Sequence, residues 1–367
     1  MDTRLCRWGI LGTAHIARKN WQAIALAGNA RLVAVASRSL ERGRQFVAEC
    51  LASCPLPEAP AALAGYAELV ARPDVDAVYI PLPTGVRKQW VLEAAAAGKH
   101  VLVEKPVGVT ADDVREMLAA CARHGVQLMD GVMYLHSRRL EALRRTLDDG
   151  ESVGEIRRIV AQFSFAGDEA FSRGDIRMHS GLEPHGCLGD LGWYTLGFAL
   201  WVMNDELPTR VSGRLLAEAG RPDSPGKVPT AMSGELVFAG GASASSYCSF
   251  GAENQQWANV SGTRGFVHVP DFVLPFFGDE TCFEVTRSVF ETHGCDFDMR
   301  RRTREVRVAE YGNSHPSSQE VALFRDFSAL VVAGRREPHW GEVALKTQQV
   351  LDAVRRSAAE GREVALG

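Results

Sequence analysis

A rhythm of two alternating patterns in the first third of the chain narrows the fold more than any other feature. Short, continuous apolar runs at residues 8–12 (WGILG), 31–37 (RLVAVAS), 75–83 (VDAVYIPLP), 100–106 (HVLVEKP) and 126–131 (VQLMDG) alternate with amphipathic stretches that begin near residue 14 and cover 41–49, 90–97 and 111–124. Repeated β-α units produce this alternation, and they form a parallel sheet. The runs are apolar throughout because strands in the middle of such a sheet are covered on both faces. From about residue 134 the rhythm changes. A helix at 140–148, a strand at 155–165 and a long apolar helix at 186–203 lead into five strand-like segments between 211 and 270, with no helices between them; helices at 319–332 and 341–360 follow. That pattern is an antiparallel sheet with helices on one side. The expected fold class is therefore α/β: a doubly wound parallel sheet over residues 1–133, and an α+β domain with a large open, mostly antiparallel sheet over 134–367.

Composition excludes several classes of function. With 46% apolar and 23% charged residues the chain is neither disordered nor fibrous. Its 41 basic and 45 acidic side chains are mixed along the sequence and leave a net charge of −4, which gives no grip on nucleic acid or a membrane surface. No apolar run is long enough to span a bilayer, and the N-terminus enters a strand without a signal-peptide core, so a soluble, cytoplasmic protein is expected. The eight cysteines are scattered and read as reduced thiols. Cys50 and Cys54 lack a second pair, and His179 and His185 lack nearby acids at ligand spacing, so no metal site is expected. The basic run from Arg300 to Arg304 is followed by Glu305 and reads as a solvated strand or turn.

Two segments carry chemistry. After the first strand, Gly12, Ala14 and Ala17 fit the three demands of a dinucleotide loop: a tight turn, a close approach of backbone to pyrophosphate, and helix packing on strand. Thr13, His15 and Ile16 lie where they would add contacts at the helix N-terminus. At the end of the second strand there is no acid to accept from a ribose 2′-hydroxyl. Ser37 and Arg38 stand there instead, and they suit a 2′-phosphate, so NADP(H) is favoured over NAD(H). The second segment is Glu104-Lys105-Pro106. A lysine at the carboxyl end of a parallel strand points into the crevice where ligands bind such sheets.

Together with the Gly12 loop, the run from Tyr79 to Thr84 and the run from Leu182 to Tyr194, this makes the chain resemble the Gfo/Idh/MocA oxidoreductases, typified by glucose-fructose oxidoreductase, inositol dehydrogenase and dihydrodiol dehydrogenase. The resemblance spans nearly the whole chain and includes residues 344–353, which look like the family's final helix. It implies a Rossmann domain in which Pro81, Leu82, Thr84, Glu104 and Lys105 contact the cofactor, and catalytic roles for Lys105, Asp190 and Tyr194. Asp190 and Tyr194, four residues apart, share one helical face. Thr84 and Arg87 stand where family members often have Asn and His, and Pro184-His185-Gly186 replaces a triple glycine. Tyr194 in place of His is similar to the glucose-fructose and dihydrodiol branches.

The activity so implied is hydride transfer between a nicotinamide and a secondary alcohol or ketone of a sugar, polyol or cyclic diol. Tyr194 would manage the hydroxyl proton, helped toward phenolate by the Lys105 ammonium, and Asp190 would orient substrate or balance the lysine. Arg177 and His179 lie on the loop that would line the substrate pocket; Arg177, Asp190 and Tyr194 are the expected substrate contacts. Two other readings share the cofactor: a catalytically silent NADP(H)-binding sensor or regulator, and a nicotinamide-dependent glycoside hydrolase. The resemblance also implies a homodimer or homotetramer built across the open sheet, for which an apolar bare face would be the physical reason.

Overall fold

A computed structural model describes residues 4–366. The first part is a six-stranded, wholly parallel sheet ordered β3-β2-β1-β4-β5-β6. Its elements run β1 (Cys6–Leu11), α1 (His15–Leu26), β2 (Ala30–Ser37), α2 (Leu40–Ser53), β3 (Ala61–Ala64), α3 (Tyr66–Val70), β4 (Ala77–Ile80), α4 (Thr84–Ala96), β5 (His100–Val103), α5 (Ala111–Arg123) and β6 (Leu128–Asp130). The order reverses at β1, and the crevice at the carboxyl ends of β1 and β4 is where such sheets bind ligands. Trp8, Ile10, Val35, Val78, Ile80, Val101 and Val103 are fully buried, which accounts for the unbroken apolar runs.

The second part contains α6 (Arg138–Asp148), β7 (Ile156–Ala166), α7 (Glu169–Gly174), α8 (Trp193–Val202), β8 (Arg210–Ala219), β9 (Val228–Val237), β10 (Ser243–Ser249), β11 (Gly251–Gly262), β12 (Phe266–Val269), β13 (Glu280–His293), β14 (Asp296–Ala309), α9 (Gln319–Val332), α10 (Pro338–Glu360) and β15 (Val364–Ala365). Nine strands form one sheet ordered β14-β13-β12-β11-β7-β10-β9-β8-β15, antiparallel except at β7 and β10. Helix α8 is apolar all round and buried from Trp193 to Leu200, as a helix wedged between layers must be.

Several elements depart from what the sequence suggests. The alanine-rich β3 is an edge strand held by pairing with β2, and α4 starts directly after Pro83 instead of near residue 90. β13 and β14 are long paired strands, and the basic run of residues 300–304 lies on β14, exposed. The sheet face turned away from α6, α8 and α10 is bare, and its central part is polar. It carries Gln162, Ser212, Arg214, Ser233, Ser245 and Tyr247 around an Arg158–Glu235 ion pair. At its β13–β14 end the same face carries exposed Phe290, Phe297 and Met299, the two phenyl rings stacked with centroids 5.8 Å apart.

Helix α9 returns to the first sheet. Trp8 packs edge-on against Phe324 and tilted against Phe327, each with ring centroids 5.1 Å apart, and donates its indole N–H to Ser328 Oγ at 2.9 Å. Replacing Trp8 by Ala removes this buried contact and is expected to cost about 3–5 kcal/mol in urea unfolding; a loss under about 1 kcal/mol would show that α9 docks without it.

Candidate active site

Eight of the residues singled out above line a cleft of about 420 Å³ between the carboxyl edge of the parallel sheet and the large sheet. Its walls include Ile16, Pro81, Leu82, Glu104, Lys105, Arg177, Asp190 and Tyr194, joined by Phe163, Phe165, Met133 and Leu274, which the sequence reading did not name. Those four are ordinary apolar residues of strands and loops, and only the fold shows that they face a cleft.

Lys105 leaves β5 and meets Asp190, which lies on a π-helical turn (Leu188–Gly192) leading into α8. Such wide turns re-aim side chains and are frequent at functional sites. The Lys105 ammonium donates to both the Asp190 carbonyl and its Oδ1 at 2.7 Å, and the Arg177 Nε meets Oδ2 at 2.7 Å. Burial alone would push the Asp190 carboxyl up, but Lys105 and Arg177 together outweigh it and hold the group below its usual range. The attraction of Asp190 in turn raises Arg177 against the desolvation that opposes it. Arg177 is also tied to Asp175, whereas His179 accepts from the Gly181 amide and lies outside the cleft lining.

The structure corrects one part of the expected chemistry. Lys105 Nζ sits 4.7 Å from the centroid of the Tyr194 ring, on its face instead of at its hydroxyl. The hydroxyl lies 3.9 Å from the Met133 sulfur. Burial, with Glu104, Asp190 and Asp130 adding repulsion, holds the phenol well above its ordinary value. Tyr194 therefore keeps its proton, and the phenolate expected from a neighbouring ammonium does not form.

At the other end of the cleft, Gly12 has φ of +116°, a conformation that favours glycine, and a Cβ there would press on Leu82. Ala14 caps α1 without a side-chain acceptor, which leaves the first-turn amides beside exposed His15 and Ile16 free to meet an anion, with Thr13 half-buried next to them. Ser37 is buried at the end of β2 and Arg38 is exposed beyond it. Both Arg38 and Arg42 act on the Tyr66 phenol through space, so a second guanidinium stands at this end. These residues fit an anionic dinucleotide.

Thr84 and Arg87 do something the sequence does not reveal. Thr84 donates its amide and its hydroxyl to Glu183, at 3.0 and 2.6 Å, so Glu183 caps α4 and ties the loop before the π turn to the first sheet. Arg87 is buried and donates to the carbonyls of Leu82, Glu104 and Pro106, bracing both cleft-lining loops. Behind them, Glu104 accepts from the Tyr79 hydroxyl, which itself accepts from Asn20 at 2.6 Å.

Comparison with known proteins bears on the same regions. Residues 6–132 match the family model described as "Oxidoreductase family, NAD-binding Rossmann fold", and residues 140–268 match the GFO/IDH/MocA C-terminal domain. A dTDP-3,4-didehydro-2,6-dideoxy-alpha-D-glucose 3-reductase from Streptomyces violaceoruber is 36% identical over 64% of this chain and 67% of that protein. The trans-1,2-dihydrobenzene-1,2-diol dehydrogenase of Mus musculus is 32% identical over 73% of this chain and 76% of its own. Among solved structures, a variant of a 3-ketoreductase from Actinomadura kijaniata in complex with TDP-benzene and NADP aligns with a TM-score of 0.79 at 25% identity, covering 96% of this chain and 98% of that one.

Two variants test the site's physical chemistry. Arg87→Leu strands three buried carbonyls and is expected to lose about 3 kcal/mol or more in denaturant unfolding, at roughly 1–3 kcal/mol per unsatisfied group. Asp130 accepts from the Trp193 indole at 3.2 Å, and burial pushes its carboxyl up from 3.8 to about 7. Between those values the unfolded chain has released the proton that the fold still holds, so wild-type stability falls as pH rises toward 7. Asp130→Asn keeps the acceptor and removes this penalty; its Tm should exceed wild type by about 2 °C or more at pH 8 and by less at pH 5, as read by scanning calorimetry.

Proposed function

The chain belongs to the GFO/IDH/MocA oxidoreductase family, and from that premise we propose that it is an NADP(H)-dependent reductase or dehydrogenase acting on a secondary alcohol or ketone of a sugar, polyol or cyclic diol. The observation that carries the reading is the Lys105 ammonium fixed by Asp190 in the cleft against the Tyr194 ring. A relative that acts on a dTDP-linked keto-sugar and another that acts on a cyclic diol both support that substrate range.

Gly12, Thr13, Ala14, His15 and Ile16 would hold the pyrophosphate, Ser37 and Arg38 the 2′-phosphate, and Pro81, Leu82, Glu104 and Lys105 the nicotinamide end, with Thr84 shaping that wall through Glu183. The bound cofactor supplies or accepts the hydride at the carbinol carbon. In the reducing direction negative charge builds on the carbonyl oxygen, and the Lys105 ammonium stabilises it as a fixed positive group in a water-poor cleft. The Tyr194 phenol, which keeps its proton, delivers that proton to the forming alkoxide, which is the stronger base. Asp190 holds Lys105 in place and, with Arg177, presents a charged wall to substrate hydroxyls. A protonated phenol at rest suits reduction as the forward direction. Assembly into a dimer or tetramer across the open sheet would run through the polar surface around Arg158 and Tyr247.

The test is oxidation of NADPH, followed by absorbance, against a panel of keto-sugars and cyclic ketones. Lys105→Met should lower turnover about 10²–10⁴-fold while calorimetry shows NADPH binding within a few-fold of wild type. Near-normal turnover would remove Lys105 from the chemistry. Binding of NADPH without turnover on any panel member would favour the sensor, and sugar release without net NADPH change the hydrolase. Arg38→Ala should weaken NADPH binding about 10–100-fold, the worth of a charge-assisted hydrogen bond, and leave NADH binding unchanged.

A further inference from the structure

His185 stands where the sequence replaces a glycine of the family's loop, and it is 2% exposed. Its two ring nitrogens face different parts of the fold. Nε2 is 2.8 Å from the carbonyl oxygen of Val109, at the end of the segment that begins with Lys105. Nδ1 is 2.8 Å from Nη1 of Arg355 on α10. A guanidinium can only donate and a carbonyl can only accept, so the ring must be the neutral tautomer with its proton on Nε2. Burial and the adjacent Arg355 depress the imidazole to about 3, which keeps it in that form.

His185 also opens the turn that carries Asp190. The His185 carbonyl accepts from the amides of Leu188 and Gly189, at 3.1 and 3.3 Å, and so opens the π turn. A Cβ on Gly189 would lie 2.7 Å from the Cβ of His185 and 3.2 Å from Cγ of Pro106. Gly189 precedes Asp190 and Pro106 follows Lys105, so the turn has no room for a side chain at Gly189 between His185 and Pro106. On the α10 side, Asp352 accepts from the Ala111 amide at 2.8 Å and fastens the same connection one residue past Thr110.

We propose that His185 is a positioning residue: braced by Arg355, it fixes the 105–109 segment and the π turn relative to each other and thereby sets the geometry of the Lys105–Asp190 pair. The inference rests on the catalytic reading of that pair given above. It explains why α10, far from the cleft in sequence, carries Asp352 and Arg355 on the side that meets the 109–111 connection.

Two replacements separate the two bonds. His185→Gln reaches Val109 with its terminal amide but gives up the acceptor at Nδ1, whereas His185→Asn keeps an acceptor toward Arg355 and falls short of Val109. Since a misplacement of about 1 Å at a reacting group costs on the order of 10²-fold, His185→Asn should lose about 10–100-fold in kcat with KM and NADPH affinity within about three-fold. His185→Gln should recover most of that loss although both variants melt at similar temperatures. Lys105 reactivity gives a readout that needs no turnover: competitive labelling with an amine-reactive ester, read by mass spectrometry, should rise several-fold at Lys105 in His185→Asn and stay unchanged at buried Lys99, whose ammonium is held by the carbonyls of Arg72 and Val75. Native kcat and native Lys105 labelling in folded His185→Asn would overturn the proposal, as would activity losses that merely follow melting temperature across both variants. If wild type turns over no panel substrate, the functional reading fails, and the labelling result alone decides whether His185 positions the pair.

Discussion

One carboxylate shared by two cations organises this molecule. Asp190 sits almost out of reach of water, where an unpaired charge would cost several kcal/mol or neutralise itself. Lys105 comes to it from the parallel sheet and Arg177 from the loop before the π turn, so the ion cluster is also the joint between the two parts of the fold. The pairing fixes the Lys105 ammonium at the wall of the cleft, while Arg177 is shared with Asp175. A fixed positive site is what a carbonyl oxygen taking on negative charge requires, and here it exists before any ligand arrives.

The same economy of buried charge explains the neighbours. Arg87 is buried, with Glu183 and Glu104 acting on it through space, and its guanidinium meets three backbone carbonyls that the two loops would otherwise leave unpaired. Glu183 is pushed up by burial and drawn back by Arg87 and by its two bonds to Thr84. Asp130 is answered by the Trp193 indole and its own backbone amide, too little to offset the burial that pushes it up. These groups do not touch a reacting atom; they set the shape of the walls that do.

Much of this was legible in the sequence wherever a requirement is local. A strand followed by a glycine that must turn the chain, a lysine at a strand end, and an acid and a tyrosine four residues apart are all written in short windows, and Lys105, Asp190 and Tyr194 line one cleft accordingly. What failed to show is what depends on partners distant in the chain. Ala61 to Ala64 have weak strand preference and become a strand because β2 offers an open edge. β13 and β14 carry mixed polar sequences that hold together through one another. At Tyr194 a neighbouring ammonium does not set the charge, because the cation lies on the ring face while burial and the carboxylates nearby hold the phenol up.

The return of α9 to the first sheet also bears on how the protein is made. Trp8 and Ser328 are 320 residues apart, and between them the chain must cross to the second sheet, complete it and come back. As the chain leaves the ribosome, the parallel sheet is finished early, but the apolar face around Trp8 stays open to water until α9 at Gln319–Val332 has emerged. Contacts of such long separation close slowly. The parallel sheet cut off after β6 would therefore lack the layer that covers Trp8, which α9 supplies from far beyond it in the chain.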